Sequence, residues 1–158
     1  MNRSKQHDNP SDEFETPKLL FDRVDKQFGF VRDVAASAKN SKCGTMYTKD
    51  YSAHRADAEW SQVNWCNPPY SQKHEFITKA MEQYLLGHTT VLLLPSSTGE
   101  NWWHELASVS FMVLLHGRVQ FTLNGAAPTS YSESRRILVR SGNPGPSGCA
   151  SGLDRGQV

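Results

Sequence analysis

The stretch of residues 89–94 constrains the fold most, because two threonines followed by four consecutive apolar residues are typical of a strand covered on both faces. Pro95 ends the run. Just ahead of it, apolar residues recur at helical spacing over residues 76–85, and Gly87 closes that amphipathic pattern. Residues 61–66 form a second candidate strand before this helix. Strand, helix and strand in this order predict an α/β fold, with a mostly parallel sheet in a three-layer α-β-α sandwich.

Shorter elements are predicted on either side of this unit. Thr16 and Pro17 indicate a helix start, with Thr16 as the N-cap and Pro17 at the first helical position, and Gly29 indicates the helix end. A short strand over residues 30–34 follows. The polar stretch 39–59 is assigned to a loop with at most one short element. Three later elements are predicted, namely a helix over residues 100–107 and strands near residues 110–115 and 118–121.

Length and composition bound the class of protein. A chain of 158 residues fits one domain. With 17 Lys and Arg against 16 Asp and Glu, the net charge of +1 gives no global signal for a polyanionic partner, so any contact with nucleic acid must come from a local patch. We predict a flexible arm over residues 1–15, a domain over residues 16–140, and a disordered tail over residues 141–158, where 10 of 18 residues are Gly, Pro or Ser.

The cysteines and the apolar runs indicate the surroundings of the protein. Cys43, Cys66 and Cys149 are widely separated and form no CxxC pair, which favours reduced thiols over disulfides or a zinc site. The longest apolar runs, residues 91–94 and 111–115, are far too short to span a bilayer. We therefore expect a cytoplasmic monomer with no metal and no membrane partner.

A tetrapeptide that follows the second strand, Asn67-Pro68-Pro69-Tyr70 (the NPPY motif), points to chemistry on a planar amine. The lone pair of such an amine is delocalised into its ring. The Asn67 side chain and the Pro68 carbonyl can each accept one N–H and so free that lone pair. Adjacent prolines hold both acceptors in one direction. Tyr70 offers a ring on which an extracted base stacks, for roughly 1–3 kcal/mol. These four residues are the predicted catalytic set.

Taken with its neighbours, the motif resembles that of the small phage and prophage DNA adenine methyltransferases of the Dam-like family. The segments that carry the resemblance are Thr16-Pro17, Asp33-Val34-Ala35-Ala36-Ser37, the NPPY motif, Leu92-Leu93-Leu94-Pro95, Trp102-Trp103-His104 and Gly117-Arg118-Val119-Gln120-Phe121. It covers about residues 15–121, and NPPY is its most specific part. The resemblance implies a small Rossmann-like enzyme that transfers a methyl group from S-adenosylmethionine to the N6 amine of a flipped adenine in double-stranded DNA.

The resemblance also implies a set of residues that bind the cofactor, S-adenosylmethionine. They are Thr16, Pro17, Asp33, Ala35, Ala36 and Asn67. Asp33 would meet the ammonium group, the two alanines would let the backbone approach closely, and the Thr-Pro pair would lie near the methionine part. The partner of the ribose hydroxyls stays open among Asp50, Asp57 and Glu59.

Contacts with DNA are predicted from Tyr70 and from a late basic set, although ordinary solvated surface is an equally open interpretation of the basic set. Its members are Arg118, Arg135, Arg136 and Arg140, of which the first three are the predicted DNA contacts. For Trp102 and Trp103, packing in the core is a better interpretation than a functional role. A zinc-protease pattern begins at His104, but Ser108 stands where the second ligand would be needed, so no metal site is expected.

Two alternatives to DNA methylation stay open. NPPY-type sites also modify adenine in RNA and glutamine in proteins, because each presents a planar conjugated nitrogen. The second alternative is an inactive prophage remnant that keeps the fold. It is motivated by the divergent end of the chain, where residues 137–139 run into the Gly, Pro and Ser tail and no closing strand is recognisable.

Overall fold

The computed structural model describes residues 10–36, 41–46, 57–123, 126 and 136–141. The α-helices in these ranges are α1 (Lys18–Phe28), α2 (Lys73–Leu85) and α3 (Asn101–Val109). The strands are β1 (Arg32–Asp33), β2 (Thr45–Met46), β3 (Val63–Cys66), β4 (Thr89–Pro95), β5 (Ser110–Leu114) and β6 (Arg136–Ser141). Two short 3-10 helices are also described, Pro10–Glu13 and Tyr70–Gln72.

The strands form one sheet in the order β2-β1-β3-β4-β6-β5. The first four strands of this order are parallel neighbours, whereas β6 is antiparallel to both β4 and β5. Because two strands antiparallel to a third share a direction, β5 runs the same way as β4. The carboxyl ends of β1, β3, β4 and β5 therefore face one edge of the sheet, which we call the carboxyl edge. The prediction of a mostly parallel sheet is confirmed.

Strand β4 lies at the centre of the hydrophobic core. Leu92 and Leu94 pack on one face of the sheet with buried side chains of α2 and α3. Val91 and Leu93 pack on the other face with buried side chains of α1. Successive side chains of a strand point to opposite faces, so the apolar run supplies both cores. This arrangement confirms the three-layer α-β-α sandwich.

The helices follow the sequence pattern closely, with one correction at the start of α1. Gly29 ends α1 in the left-handed conformation at φ 64°, as predicted, and Gly87 at φ 85° follows α2. The N-cap position of α1, however, is Pro17 instead of Thr16, and no side chain caps the helix. Pro17 has an extended ψ of 134°, so the helix begins one residue later than predicted, at Lys18, and Thr16 is buried ahead of it.

The strand predicted near residues 118–121 is not formed. Phe121 is buried against Phe14, with ring centroids 6.0 Å apart, and the nearest pairing is an isolated bridge between Glu15 and Thr122. Phe121 is therefore buried by packing on an earlier segment of the chain instead of by pairing in the sheet. Apolar content alone does not distinguish these two forms of burial.

The last strand of the described chain also differs from the expectation. The sequence offered no recognisable closing strand, yet β6 is present and pairs with β4 on one side and β5 on the other. Its last residue, Ser141, lies within the segment predicted as a tail. Strand β6 is bounded by charged and polar residues, and its place in the sheet depends on backbone hydrogen bonds to two strands that are distant in the sequence. Residues 142–158 lie outside the described residues.

The folded unit begins ahead of the predicted boundary at Thr16. Within the segment 1–15 that was predicted as an arm, Pro10–Glu13 form a 3-10 helix and Phe14 is only 9% exposed. Phe14 is the apolar side chain that interrupts this polar segment, and its burial explains why the chain is held here. Residues 1–9 lie outside the described part of the chain.

Burial keeps the thiols of the described cysteines protonated. Cys43 and Cys66 form no disulfide, and burial raises the pKa of Cys43 to about 12. Cys149 lies outside the described residues. In the ranges that the structure covers, no three metal-ligating side chains are grouped, and none of the helices has the length and apolar character needed to cross a membrane.

We predict that Leu92→Ala lowers the free energy of unfolding by about 2–5 kcal/mol, because it leaves a cavity at a fully buried position of β4. Leu19→Ala is the matched control, since that side chain is 78% exposed, and it should change stability by less than about 0.5 kcal/mol. Urea unfolding followed by circular dichroism measures both. Similar losses in the two variants would contradict the central place of β4 in the core.

Candidate active site

The NPPY motif joins β3 to the helices that cover the sheet. Asn67 comes directly after the last residue of β3, and Pro68 is buried. Pro69 has an extended backbone, with φ −53° and ψ 139°, and Tyr70 begins the 3-10 helix that leads into α2. The structure thus places the motif between a strand and a helix, as the sequence predicted, and at the carboxyl edge.

Asp33 lies next to the motif on the neighbouring strand. It is the last residue of β1, and it pairs in parallel register with Trp65, two residues ahead of Asn67. The backbone N–H of Val34 continues this pairing by donating to the Trp65 carbonyl at 3.0 Å. Two residues of strand correspond to about 7 Å along the sheet. Asp33 and Asn67 therefore share one small area of the carboxyl edge, where open α/β sheets bind their ligands.

The Asn67 amide is oriented by a contact with the segment ahead of α1. Its Nδ2 donates to the backbone carbonyl of Phe14 at 3.1 Å. A carbonyl can only accept, so this contact assigns the nitrogen end of the amide to Phe14. The Oδ1 end is consequently turned away from that carbonyl and is the acceptor that Asn67 presents.

The Asp33 carboxyl is buried, with only 4% of the residue exposed. Its oxygens accept from the backbone N–H groups of Lys42, at 3.1 Å, and Ala35, at 3.4 Å. Desolvation by burial raises the pKa of Asp33 from 3.8 to about 6, although the hydrogen bonds from Lys42 and Ala35 act in the opposite direction. The positive charge of Lys42 also lowers this pKa, yet the cost of burial still outweighs it, so the site favours a further positively charged group.

The other predicted cofactor residues lie on the segments that flank this area. Ala35 and Ala36 follow Asp33 directly and are half-buried. Thr16 is buried, and Pro17 precedes α1, within three residues of the carbonyl that holds Asn67. Of the three candidates for the ribose, Asp57 and Glu59 are exposed and Asp50 lies outside the described residues, so the ribose role stays unassigned.

The described residues of the predicted basic set lie at different ends of the sheet. Arg118 is exposed and follows the carboxyl end of β5, and Arg136 begins β6 opposite Pro95, the last residue of β4. Both residues therefore lie towards the carboxyl edge. Arg140 pairs with Val91, nearer the other end of β4, and Arg135 lies outside the described residues.

The starts of α2 and α3 are joined by a group of polar contacts at the same edge. Glu100 accepts from Trp102 Nε1 at 2.6 Å and pairs with Lys73 Nζ at 3.3 Å. The hydrogen bond from Trp102, followed by the contacts with Lys73, lowers the pKa of Glu100. Trp102 is buried in the core, which confirms the interpretation by packing. An open pocket of about 490 Å³ beside this group is lined by His74, Gly99, Glu100, Asn101, Trp102 and Glu105.

One set of residues that contacts the motif was not predicted from the sequence. Asp12 accepts two hydrogen bonds from Ser71, the residue that follows the motif, and Phe14 accepts from Asn67. More than 50 residues separate the partners in each pair, so no local pattern could have revealed the contacts. The one available signal was Phe14, an isolated apolar residue in a polar segment.

Comparisons with known proteins identify the family of the chain. A family model described as DNA N-6-adenine-methyltransferase (Dam) matches residues 3–139. A DNA N-6-adenine-methyltransferase of Escherichia phage T1 is 25% identical over 149 residues, which cover 93% of this chain. A second protein of that name, from Haemophilus phage HP1, is 26% identical over 145 residues, which cover 88% of this chain and 83% of the relative.

The chain spans about 60% of the length of the phage T1 protein. No solved structure matches the chain. The family model nevertheless covers most of the chain, including β1, the NPPY motif and most of β6. The chain therefore belongs to the Dam family of DNA N-6-adenine-methyltransferases.

Proposed function

We propose that the protein transfers the methyl group of S-adenosylmethionine to the N6 amine of adenine in double-stranded DNA. The observation that carries this proposal is the orientation of Asn67, whose Nδ2 is held by the Phe14 carbonyl and whose Oδ1 is thereby presented as an acceptor. Family membership supports DNA adenine as the substrate. Both relatives are phage proteins, which supports a phage or prophage origin and action on DNA in the cytoplasm of a bacterial host.

The proposed role of the motif follows from the poor nucleophilicity of the adenine amine. Asn67 Oδ1 and the Pro68 carbonyl each accept one N–H, so both hydrogens of the amine are held. The nitrogen then becomes more tetrahedral and its lone pair is freed from the ring. Preorganised acceptors of this kind act where charge develops and need no rearrangement during the reaction. Pro68 and Pro69 hold the two acceptors in one backbone conformation.

The proposed role of Tyr70 is to receive the base outside the duplex. Removing a base from the stack costs a few kcal/mol, and stacking on an aromatic ring returns roughly 1–3 kcal/mol. The residue is half-buried at the start of the 3-10 helix, so part of its side chain faces solvent. Arg118 and Arg136, which lie towards the same edge, are the proposed phosphate contacts, together with Arg135.

The residues at the carboxyl edge fit S-adenosylmethionine as the methyl donor. When bound, this cofactor supplies an electrophilic methyl group on a sulfonium and an α-ammonium group. Asp33 is the fitting partner for the ammonium, because its carboxyl is buried and a nearby cation would offset that cost. Ala35 and Ala36 carry no bulk beyond Cβ, so the proposed cofactor can approach their backbone. Thr16 and Pro17 are proposed to bound the methionine part.

The presence of β6 bears on the alternative of an inactive remnant. That interpretation rested on the absence of a recognisable closing strand. Strand β6 pairs with β4 at six positions and with β5 at five, so the sheet continues past the centre of the core. A sheet that includes β6 supports the proposal of an active enzyme over that of an inactive remnant.

The substrate is tested by offering labelled S-adenosylmethionine with DNA, RNA and protein in parallel. A release-factor protein represents the alternative of glutamine methylation. We expect label in DNA alone, located on the N6 of adenine, because the family match favours this substrate. Sequencing of DNA from cells that express the protein, with detection of methylated adenine, would give the target site. Label in RNA or protein with none in DNA would contradict the proposal.

We predict that Asn67→Ala reduces methyl transfer on the order of 10²-fold or more, because it removes one of the two acceptors for the amine. Binding of S-adenosylmethionine, measured by calorimetry, should persist, because Asn67 is only one of the six residues implied at the cofactor and Asp33 is unchanged. Gln62→Ala is a suitable control. It removes an exposed side-chain amide that precedes the first residue of β3, at the end of the strand away from the motif. A folded Asn67→Ala protein that has lost cofactor binding would count against the assigned role.

Binding of the cofactor should depend on pH through Asp33. Because its pKa is about 6, the carboxylate fraction increases about tenfold between pH 5 and pH 7, and the ammonium group binds the carboxylate form. We expect the Kd for S-adenosylmethionine to fall about tenfold over this range. Asp33→Asn should bind weakly at both pH values, whereas the control Asp22→Asn should keep the wild-type dependence. A wild-type Kd that does not change with pH would contradict the role of Asp33.

A further inference from the structure

A single short segment, residues 12–14, contacts both ends of the NPPY motif. At the first residue of the motif, Asn67 Nδ2 donates to the Phe14 carbonyl. Directly after the last residue, Ser71 donates from its backbone N–H to Asp12 Oδ1 at 3.1 Å and from its hydroxyl to Asp12 Oδ2 at 2.5 Å. The two acceptors are only two residues apart in the chain. Together they hold the beginning and the end of the motif.

The backbone of Ser71 needs an acceptor from elsewhere in the chain. The first N–H groups of any helix have no partner within the helix. The 3-10 helix Tyr70–Gln72 follows Pro69, which has no side-chain acceptor, and neither this helix nor α2 has a side-chain cap at its N-cap position. Asp12 supplies the missing acceptor. Hydrogen bonds to a carboxylate are roughly twice as strong as neutral ones, and its charge suits the amino end of a helix.

The segment that carries Asp12 is itself fixed to the rest of the protein. Phe14 is buried and stacks on Phe121 at 6.0 Å between ring centroids. Glu15 exchanges two backbone hydrogen bonds with Thr122, with N···O distances of 2.8 and 3.2 Å. The position of Asp12 is therefore determined by buried packing two residues away. The Asp12 carboxylate therefore caps the 3-10 helix at Ser71 from a segment that is held by its own packing and hydrogen bonds.

We propose that Asp12 is a positioning residue for methyl transfer, acting through Ser71 on the turn that carries Tyr70 and the Pro68 carbonyl. This inference rests on the proposed function of the NPPY motif. Asp12 does not itself touch the substrate. Its effect arises because the acceptors must lie at defined distances from the amine, and a displacement of about 1 Å can cost on the order of 10²-fold in rate.

The test compares Asp12→Ala with Asp22→Ala in the full chain. The control removes the carboxylate of Asp22, which lies on α1 and is paired with Lys18 of that helix at 2.5 Å. At saturating DNA and S-adenosylmethionine, we expect kcat to fall about tenfold in Asp12→Ala and to stay unchanged in the control. The Kd for S-adenosylmethionine should stay within about twofold of wild type in both. This split between kcat and binding is the readout that a merely structural role would not produce.

A double-mutant cycle with Ser71 tests the route of the effect. Ser71→Ala keeps the backbone donor and loses only the hydroxyl, so a smaller fall in kcat is expected. Adding it to Asp12→Ala should cause no further fall, because the two residues act as one unit. Additive losses would overturn the inference. So would wild-type kcat in a folded Asp12→Ala protein, or a fall that the unfolded fraction at the assay temperature fully explains.

Asn67→Ala, measured in parallel, separates this inference from the proposed function. If wild type and Asn67→Ala transfer methyl groups equally, or if wild type transfers none, the proposed function fails and the role of Asp12 with it. If Asn67→Ala is inactive while Asp12→Ala keeps full kcat, only the role of Asp12 fails.

Discussion

Burial of β4 on both faces is the constraint on which the rest of the structure depends. Its side chains pack alternately against α1 on one face and against α2 and α3 on the other. A strand of this kind needs partners on both of its edges and a layer of helix on each side. Strands β3 and β6 pair with β4 on its two sides. The crossover through α2 places β3 parallel to β4. The carboxyl edge is a consequence of this packing.

Two residues with different electrostatic requirements lie together at that edge. Asp33 at the end of β1 is a buried carboxyl whose pKa is raised by burial, so in isolation it disfavours its own charge. Asn67, directly after β3, is neutral and donates one N–H of its amide to the Phe14 carbonyl. The first arrangement suits a cationic group, and the second presents an oxygen that suits a hydrogen-bond donor. Parallel neighbouring strands place these two residues side by side, and the segments around Lys42 and Phe14 supply their hydrogen-bond partners.

Prediction from sequence succeeded where the information is local or periodic. The apolar run of β4, the helical stripe of α2 and the left-handed stop at Gly29 each follow from a pattern within a few residues. It failed where the partner is distant. Phe121 was predicted to be in a strand but packs on Phe14, and the pairing of β6 with two remote strands could not be read from its own residues. The contact of Asp12 with Ser71 spans 59 residues and left no trace in either local sequence.

The sequence by itself determined the class of sheet and the strand–NPPY–helix order. Both depend on local properties of the chain, namely the period of the apolar side chains and the fixed φ of proline. Only the tertiary structure decided which end of the Asn67 amide faces outward, how strongly Asp33 is desolvated and what holds the turn at Ser71. Those properties depend on which distant backbone carbonyl, N–H or carboxylate lies within about 3 Å. That distance is set by the packing of the whole core and not by neighbours in the chain.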